Sequence, residues 1–200
     1  MEPRPLAAFP RNAAAAVHTV LADIDDTLTT DGRLTAQAYG AIEALRAAGL
    51  RVVPVTGRPA GWCDHIARMW PVDAVIGENG AFWMWHDDRA GKLQARHLLD
   101  DAGRADFARR LAAVRERVLR EVPGCATASD QFCRLYDLAI DFREDVAPLP
   151  PASVDLIVAL MRDAGMNAKV SSIHVNGWFG DWDKLSTTRL MMRERFAIDL

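Results

Sequence analysis

The sequence predicts an α/β protein, a parallel sheet flanked by helices and interrupted by a long α+β insertion. Three observations carry this. Between Thr19 and Ile76, apolar strand-like runs alternate with helical patterns at the spacing of βαβ units. After Glu78-Asn79-Gly80 that rhythm gives way to alternating strands and long amphipathic helices. At Asp183-Lys184 a capped helix brings the chain back.

Thr19 to Ile24 reads as a buried first strand, and Asp31-Gly32 centres a polar turn. Thr35 caps a helix to about Ala48 with Ala38, Ile42, Leu45 and Ala48 at helical spacing, and Gly49 ends it. Leu50 to Val55 is a second buried strand. Pro59 suits the first turn of the next helix, which carries Trp62, Ile66 and Met69 on one face and stops before Pro71. Val72 to Ile76 is a third strand.

Within the insertion, Ala81 to His86 and Leu93 to Leu98 form a hairpin around Asp87 to Gly91. A helix from about Arg104 to Glu121 follows. Phe132 to Phe142 alternates strictly, with Tyr136, Leu138, Ile140 and Phe142 on one face. A helix over Ser153 to Ala164 and two short strands around Ser171-Ser172 complete it. The division expected is a discontinuous core, residues 1–81 and 178–200, and an inserted domain, residues 82–177. The last helix runs from Lys184 to Phe196, with Leu185, Thr188, Met192 and Phe196 facing inward. Partial disorder is expected up to about Ala15.

A net charge of -3 gives no electrostatic footprint for nucleic acid. No stretch approaches the ~20 apolar residues of a membrane span, and no secretory h-region precedes Ala13. The three cysteines show no Cys-x-x-Cys spacing and read as reduced, mostly buried thiols of a cytoplasmic protein. The five histidines show no metal spacing.

Chemistry concentrates in Val20-Leu21-Ala22-Asp23-Ile24-Asp25-Asp26-Thr27-Leu28-Thr29. On a strand, Asp23 and Asp25 project to one side. Crowded carboxylates repel, and a cation relieves this. An oxygen-only site with open positions suits Mg²⁺, which keeps several waters and takes one or two carboxylates. Thr56, at the end of the second strand, falls at the same sheet edge, where ligands of parallel sheets bind.

Asp23-Ile24-Asp25-Asp26-Thr27-Leu28 resembles the first motif of the haloacid dehalogenase-like (HAD) hydrolases, most of them phosphatases. Val55-Thr56-Gly57-Arg58 and Lys184 resemble the second and third motifs, in the usual order. Ile76-Gly77-Glu78-Asn79-Gly80 resembles the stretch entering the large cap of the branch that includes sugar-phosphate phosphatases. The resemblance implies a Rossmann-like core with a cap domain and a Mg²⁺-dependent phosphatase. In it Asp23 is the nucleophile that forms an aspartyl-phosphate, and Asp25 the general acid and base. The Asp23 carboxylate and Asp25 carbonyl hold Mg²⁺. Thr56 and Gly57 hold a phosphoryl oxygen, and Lys184 offsets phosphoryl charge. Arg58 and Asn79 read equally as substrate-binding or structural. The tryptophans beside these motifs read first as packing and second as a stacking surface for a sugar ring.

The family's fourth motif, a strand and an acidic Gly-Asp-type loop giving the last metal carboxylate, has no counterpart after Lys184. The core is therefore expected to be C-terminally incomplete, through shortening of a longer phosphatase or loss of the metal site. Weak Mg²⁺ binding and poor turnover are expected, unless a homodimer supplies a carboxylate in trans. The expected partner is a small phosphorylated metabolite, such as a sugar phosphate. The alternatives are a phosphosugar phosphotransferase or mutase, and a catalytically defective protein that binds a phosphate ligand.

Overall fold

The structure, a computed structural model, describes residues 5–200. Leu6–Ala8 make a 3₁₀ turn and α1 spans Arg11–Ala15, with no buried residue. The stretch expected to be partly disordered thus holds two helical turns, while residues 1–4 lie outside the described residues.

β1 (Thr19–Ala22) leads into a wide turn, followed by a small hairpin of β2 (Thr29–Thr30) and β3 (Arg33–Leu34). α2 (Ala36–Ala47) starts at Thr35, whose hydroxyl accepts from the Ala38 N–H at 3.1 Å. β4 (Arg51–Pro54) lies parallel to β1, with Val20 opposite Val52. α3 (Ala60–Met69) leads to β5 (Val75–Gly77), which meets the β4 side through a parallel bridge from Val55 to Ile76. The βαβαβ reading therefore holds. Its first strand, expected to be buried, is half-buried instead: among the described strands β1 pairs only with β4, and Leu21 is 39% exposed. A parallel strand is buried when neighbours and helices cover it from both sides.

β6 (Phe82–Asp87) and β7 (Lys92–His97) form the expected hairpin. β6 is antiparallel to β5, with Ile76 opposite Trp83, so the hairpin continues the sheet from β5. Trp83 fixes it there, buried with Val53, Val55, Ile76, Met191 and Met192.

The insertion proper has its own sheet. α4 (Asp101–Glu121), β8 (Ala126–Thr127), β9 (Asp137–Asp141), α5 (Pro151–Asp163), β10 (Asn167–Val170) and β11 (His174–Trp178) follow in order. The four strands are antiparallel in the order β10-β11-β9-β8. Phe107, Leu111, Val114 and Val118 of α4 and Ile157 and Met161 of α5 bury Leu138, Ile140 and Val175. Tyr136, Leu138, Ile140 and Phe142 are all buried, as the alternation predicts. Register puts Lys169 opposite Asn176, and Asn176 opposite Ala139, so the other sheet face is polar.

α6 (Lys184–Phe196) opens with a capping box in which the Asp183 carboxylate accepts from the Ser186 N–H at 2.6 Å. Its buried residues are Thr187, Thr188, Met191 and Met192, while Leu185, expected inside, is exposed. A similar rotation applies to α3. Cys63, Ile66 and Ala67 are buried, whereas Trp62 and Met69 face outward. In both helices the buried stripe leaves out the large apolar side chain near the start, Trp62 in α3 and Leu185 in α6.

Trp83→Ala is expected to cost about 3–5 kcal/mol in urea unfolding, since it empties the contact between the hairpin and α6. A cost below about 1 kcal/mol, within the range of surface substitutions, would contradict the pairing of β6 with the core.

Candidate active site

Asp23 follows β1 in extended conformation (φ -68°, ψ 159°), and its Oδ1 accepts from the Ile24 N–H at 2.8 Å. Asp25 is also extended, so both carboxylates keep the strand's alternation. Asp26 then turns left-handed (φ 56°), a conformation Asp tolerates better than most residues. The turn closes on the Ile24 carbonyl, which accepts from the Thr29 N–H and, at 3.1 Å, from its hydroxyl. Ile24 is buried beneath it.

The second segment arrives from β4. The Thr56 N–H donates to the Ile76 carbonyl at 2.9 Å, and its own carbonyl accepts from the Asn79 N–H at 3.1 Å. Thr56 is fully buried, and its hydroxyl accepts from the Arg58 N–H at 3.0 Å. It therefore shapes the turn from within, while Gly57 and Arg58 line the cleft. A Cβ on Gly57 would stand 3.1 Å from Asn79 Oδ1, so glycine lets Asn79 pack against the turn. Asn79 lines the same cleft. Arg58 stacks on Trp62, 4.5 Å from the ring centroid, and forks onto Asp25 with Nη2 to Oδ1 at 2.6 Å.

The third segment is the start of α6. Gly80 has φ 114°, and a Cβ there would lie 2.5 Å from the Asp183 carbonyl oxygen. The Thr187 hydroxyl donates to the Gly80 carbonyl at 2.6 Å. This close approach sets Lys184 beside Asp23, and its Nζ ion-pairs with Asp23 Oδ2. Three segments far apart in the chain thus converge: Asp23 and Asp25, the Thr56–Arg58 turn, and Lys184.

They stand at the floor of a cleft of about 780 Å³, whose other wall is the polar face of the inserted sheet and its loops. From that side Asp130, Arg134, Lys169, Ser172 and Asn176 line it. Arg134 is nearly buried and forks onto Asp130 and Asp137, with Nη1 3.0 Å from Asp137 Oδ1. Asn176 donates to Asp137 Oδ2 at 3.2 Å. Sequence reasoning missed Arg134, Asp137 and Asn176. The signal was there for Asp137: it and Asp141 are charges at the two ends of an otherwise apolar strand.

Glu78 was also missed as a side chain in its own right. It is fully buried, yet it ends an apolar strand. Its oxygens accept from the Ala60 N–H at 2.9 Å, the Leu135 N–H at 2.9 Å and the Asp137 N–H at 3.2 Å, and from Tyr136. Burial, and then the nearby Asp137 carboxylate, push its pKa up to about 8 against the downward pull of these backbone bonds.

Cys63 is fully buried, and burial holds its thiol well above its ordinary pKa, which argues against a thiolate nucleophile. His174 is buried against Glu144, Nε2 to Oε2 at 2.9 Å, a structural role. Trp83, Trp178 and Trp182 are buried, as the packing reading has it.

Among the described residues no three or more His, Cys, Asp or Glu side chains converge as a metal nest. The donors that the resemblance implies, the Asp23 carboxylate and the Asp25 carbonyl, would suit a cation that keeps most of its shell as water and phosphate oxygen. Mg²⁺ is such a cation, whereas Ca²⁺ takes six to eight oxygens.

Residues 20–112 match the sequence profile of the haloacid dehalogenase-like hydrolases. Solved structures extend the likeness to the fold of nearly the whole chain. A Thermoplasma acidophilum protein superposes with a TM-score of 0.70 at 16% identity, covering 92% of this chain and 73% of its own. A trehalose-6-phosphate phosphatase related protein gives 0.60 at 19%, covering 88% and 74%. The sucrose-phosphatase of a Synechocystis species, solved with sucrose and phosphate, gives 0.58 at 14%, covering 90% and 71%. No curated protein matches the sequence. The likeness to haloacid dehalogenase-like hydrolases therefore holds in sequence over residues 20–112, and the fold is shared with these solved structures over about nine-tenths of the chain.

Two outcomes follow. Gly80→Ala is expected to cost about 1–3 kcal/mol in urea unfolding and to separate Lys184 from Asp23, because a positive φ and a backbone contact both oppose a side chain. The second concerns pH. A folded-state pKa above the unfolded value of 4.5 means the folded chain holds the proton more tightly. Glu78's stabilising contribution is then full below pH 4.5 and lost as pH rises towards about 8. Urea midpoints of Glu78→Gln should fall less over that window than those of the wild type.

Proposed function

We propose that this chain is a Mg²⁺-dependent phosphatase of the haloacid dehalogenase type. It acts on a small phosphorylated metabolite of the sugar-phosphate class through an aspartyl-phosphate. One observation carries the reading: Lys184, 161 residues away in the chain, reaches the Asp23 carboxylate in a cleft shared with Asp25 and the Gly57–Arg58 turn. The kinds of solved structure that share the fold support it, since their names include sugar phosphatases.

The residues divide the work as follows. Asp23 attacks phosphorus with one carboxylate oxygen, and the P–O bond to the leaving group breaks in line. Asp25, once released by Arg58 and protonated from solvent, gives that proton to the departing ester oxygen, then takes one from the water that hydrolyses the aspartyl-phosphate and frees orthophosphate. Asp25 is held by Arg58, so it acts only once the guanidinium transfers to a phosphoryl oxygen. The incoming dianion is the competitor that draws it off. Lys184 neutralises charge on the phosphoryl oxygens, and Gly57 offers its backbone N–H. Thr56 fixes that turn. When bound by Asp23 and the Asp25 carbonyl, Mg²⁺ supplies further neutralisation of phosphoryl charge. The polar cleft wall at Lys169, Ser172 and Asn176 suits a hydroxylated leaving group. On this reading the cap is residues 99–177, and we place the protein in the cytoplasm. Among the described residues its cysteines are unpaired, and no helix is long and apolar enough to cross a membrane.

Turnover by this 200-residue chain should be slow, since Asp23 alone gives the metal a carboxylate. The same shortfall favours a second reading, a protein that binds a phosphate ligand without turnover. Purified chain with an aryl phosphate and Mg²⁺ should show Mg²⁺-dependent hydrolysis well below the roughly 1–10³ s⁻¹ of ordinary enzymes. Asp23→Asn should abolish it, and Lys184→Ala should lower kcat about 10²–10³-fold. Hydrolysis that survives Asp23→Asn would overturn the mechanism. Stabilisation by orthophosphate with no hydrolysis at all would establish the second reading.

A further inference from the structure

Glu78 lies one residue before the cleft-lining Asn79, yet it faces away from the cleft and has no part in the chemistry above. What it touches belongs to two units. The Ala60 N–H is the start of α3, in the core. The N–H groups of Leu135, Tyr136 and Asp137 are the run into β9, in the insertion. A single side chain thus satisfies the first turn of a core helix and three consecutive amides of the other unit. The backbone that carries it is tight: Glu78, Asn79 and Gly80 have φ of 43°, 57° and 114°. Two non-glycine residues in the left-handed region persist only where surroundings over-determine them.

Arg134 answers from the opposite side. Its guanidinium is held by Asp130 and Asp137, and its Nη1 points to the Gly57 carbonyl at 3.4 Å. That carbonyl belongs to the turn that presents Gly57 and Arg58. α3 and this loop also meet in apolar contact, where a Cβ on Gly61 would lie 2.9 Å from Cys133 Sγ.

We propose that Glu78 and Arg134 form a reciprocal clasp that seats the insertion over the carboxylate site. Glu78 is its positioning residue: the core's side chain grips the insertion's backbone at 135–137, and the insertion's side chain reaches the core's Gly57 turn. Through Asp137 the clasp also sets Asn176, so the face that meets a leaving group is registered against Asp23 and Lys184. The structural half of this proposal is independent of the phosphatase reading, whereas its kinetic consequence rests on it.

The test is amide hydrogen exchange at neutral pH. In the wild type, the amides of Ala60, Leu135, Tyr136 and Asp137 should open together with similar protection, as groups fastened to one carboxyl. Glu78→Met keeps length and removes the acceptors, so exchange at these four should rise about tenfold or more. Glu78→Gln keeps one acceptor oxygen and sets its NH2 against the amides the other oxygen served, so exchange should rise less than in Glu78→Met and only at those amides. Ile42→Val, a buried change on α2, which contributes no group to the clasp, should leave the four amides unmoved relative to their neighbours. Unequal protection of the four in the wild type would overturn the clasp even if Glu78→Met fails to fold. Equal exchange in folded Glu78→Met and wild type would overturn it as well. With a hexose phosphate, Glu78→Met should raise KM about tenfold with little change in kcat, and Glu78→Gln, which keeps one acceptor oxygen, should raise it less. If the wild type hydrolyses no ester, the phosphatase reading has failed and the exchange data alone decide the clasp.

Discussion

Like charges gathered at the end of one strand must be answered by cations from elsewhere. Asp23 and Asp25 are two residues apart on the same side of β1's extension, where mutual repulsion opposes the local fold. Lys184 answers the first and Arg58 the second. Neither cation is close in sequence, so the demand is met by tertiary structure. α6 must return to the sheet with its first turn at Asp23, and the turn after β4 must swing a guanidinium over Trp62 towards Asp25.

Glycine makes both approaches possible. Gly80 admits the Asp183 carbonyl at a distance no side chain allows, and Gly57 admits Asn79. The buried face of α6 is correspondingly modest: two threonines and two methionines against Trp83, Val53 and Ile76. Thr187 bonds to Gly80, and methionine adapts its shape to the gap. The helix is held by a short polar contact at its start and a compliant apolar one further along. That is a sound way to fix one ammonium while leaving the rest of the helix tolerant.

The parts legible in sequence were those carried by local pattern. βαβ spacing, the Thr35 and Asp183 caps, and the alternation through Tyr136 to Phe142 all appear where the residues place them. The convergence of Asp23, Asp25, Gly57, Arg58 and Lys184 was legible through motif order. Pairing partners were not. Nothing in Phe82 to His97 says whether a hairpin pairs with the strand before it or joins the sheet after it, because alternation is the same in both cases. Thr56 is a related case: a hydroxyl at a strand end can face a ligand or its own turn, and the sequence does not say that it accepts from the Arg58 N–H at 3.0 Å. Glu78 was hidden because its partners are backbone groups, mostly far along the chain, which leave no residue-type signature, and Arg134's reach to the Gly57 carbonyl was hidden for the same reason.

The charge inventory of the cleft connects these pieces. Its lining carries Asp23, Asp25, Asp26, Asp31, Asp130 and Glu144 against Arg58, Arg134, Lys169 and Lys184. Arg134 is engaged with Asp130 and Asp137, and Lys184 and Arg58 are engaged with the two acids of the floor. On the proposed function, a phosphate ester would enter a site whose floor cations already have partners. Its dianion would compete for Arg58 and Lys184, leaving Asp23 and Asp25 less compensated. A divalent cation at Asp23 would resolve that conflict by restoring positive charge there. The charge balance of the lining therefore supports the metal dependence proposed above.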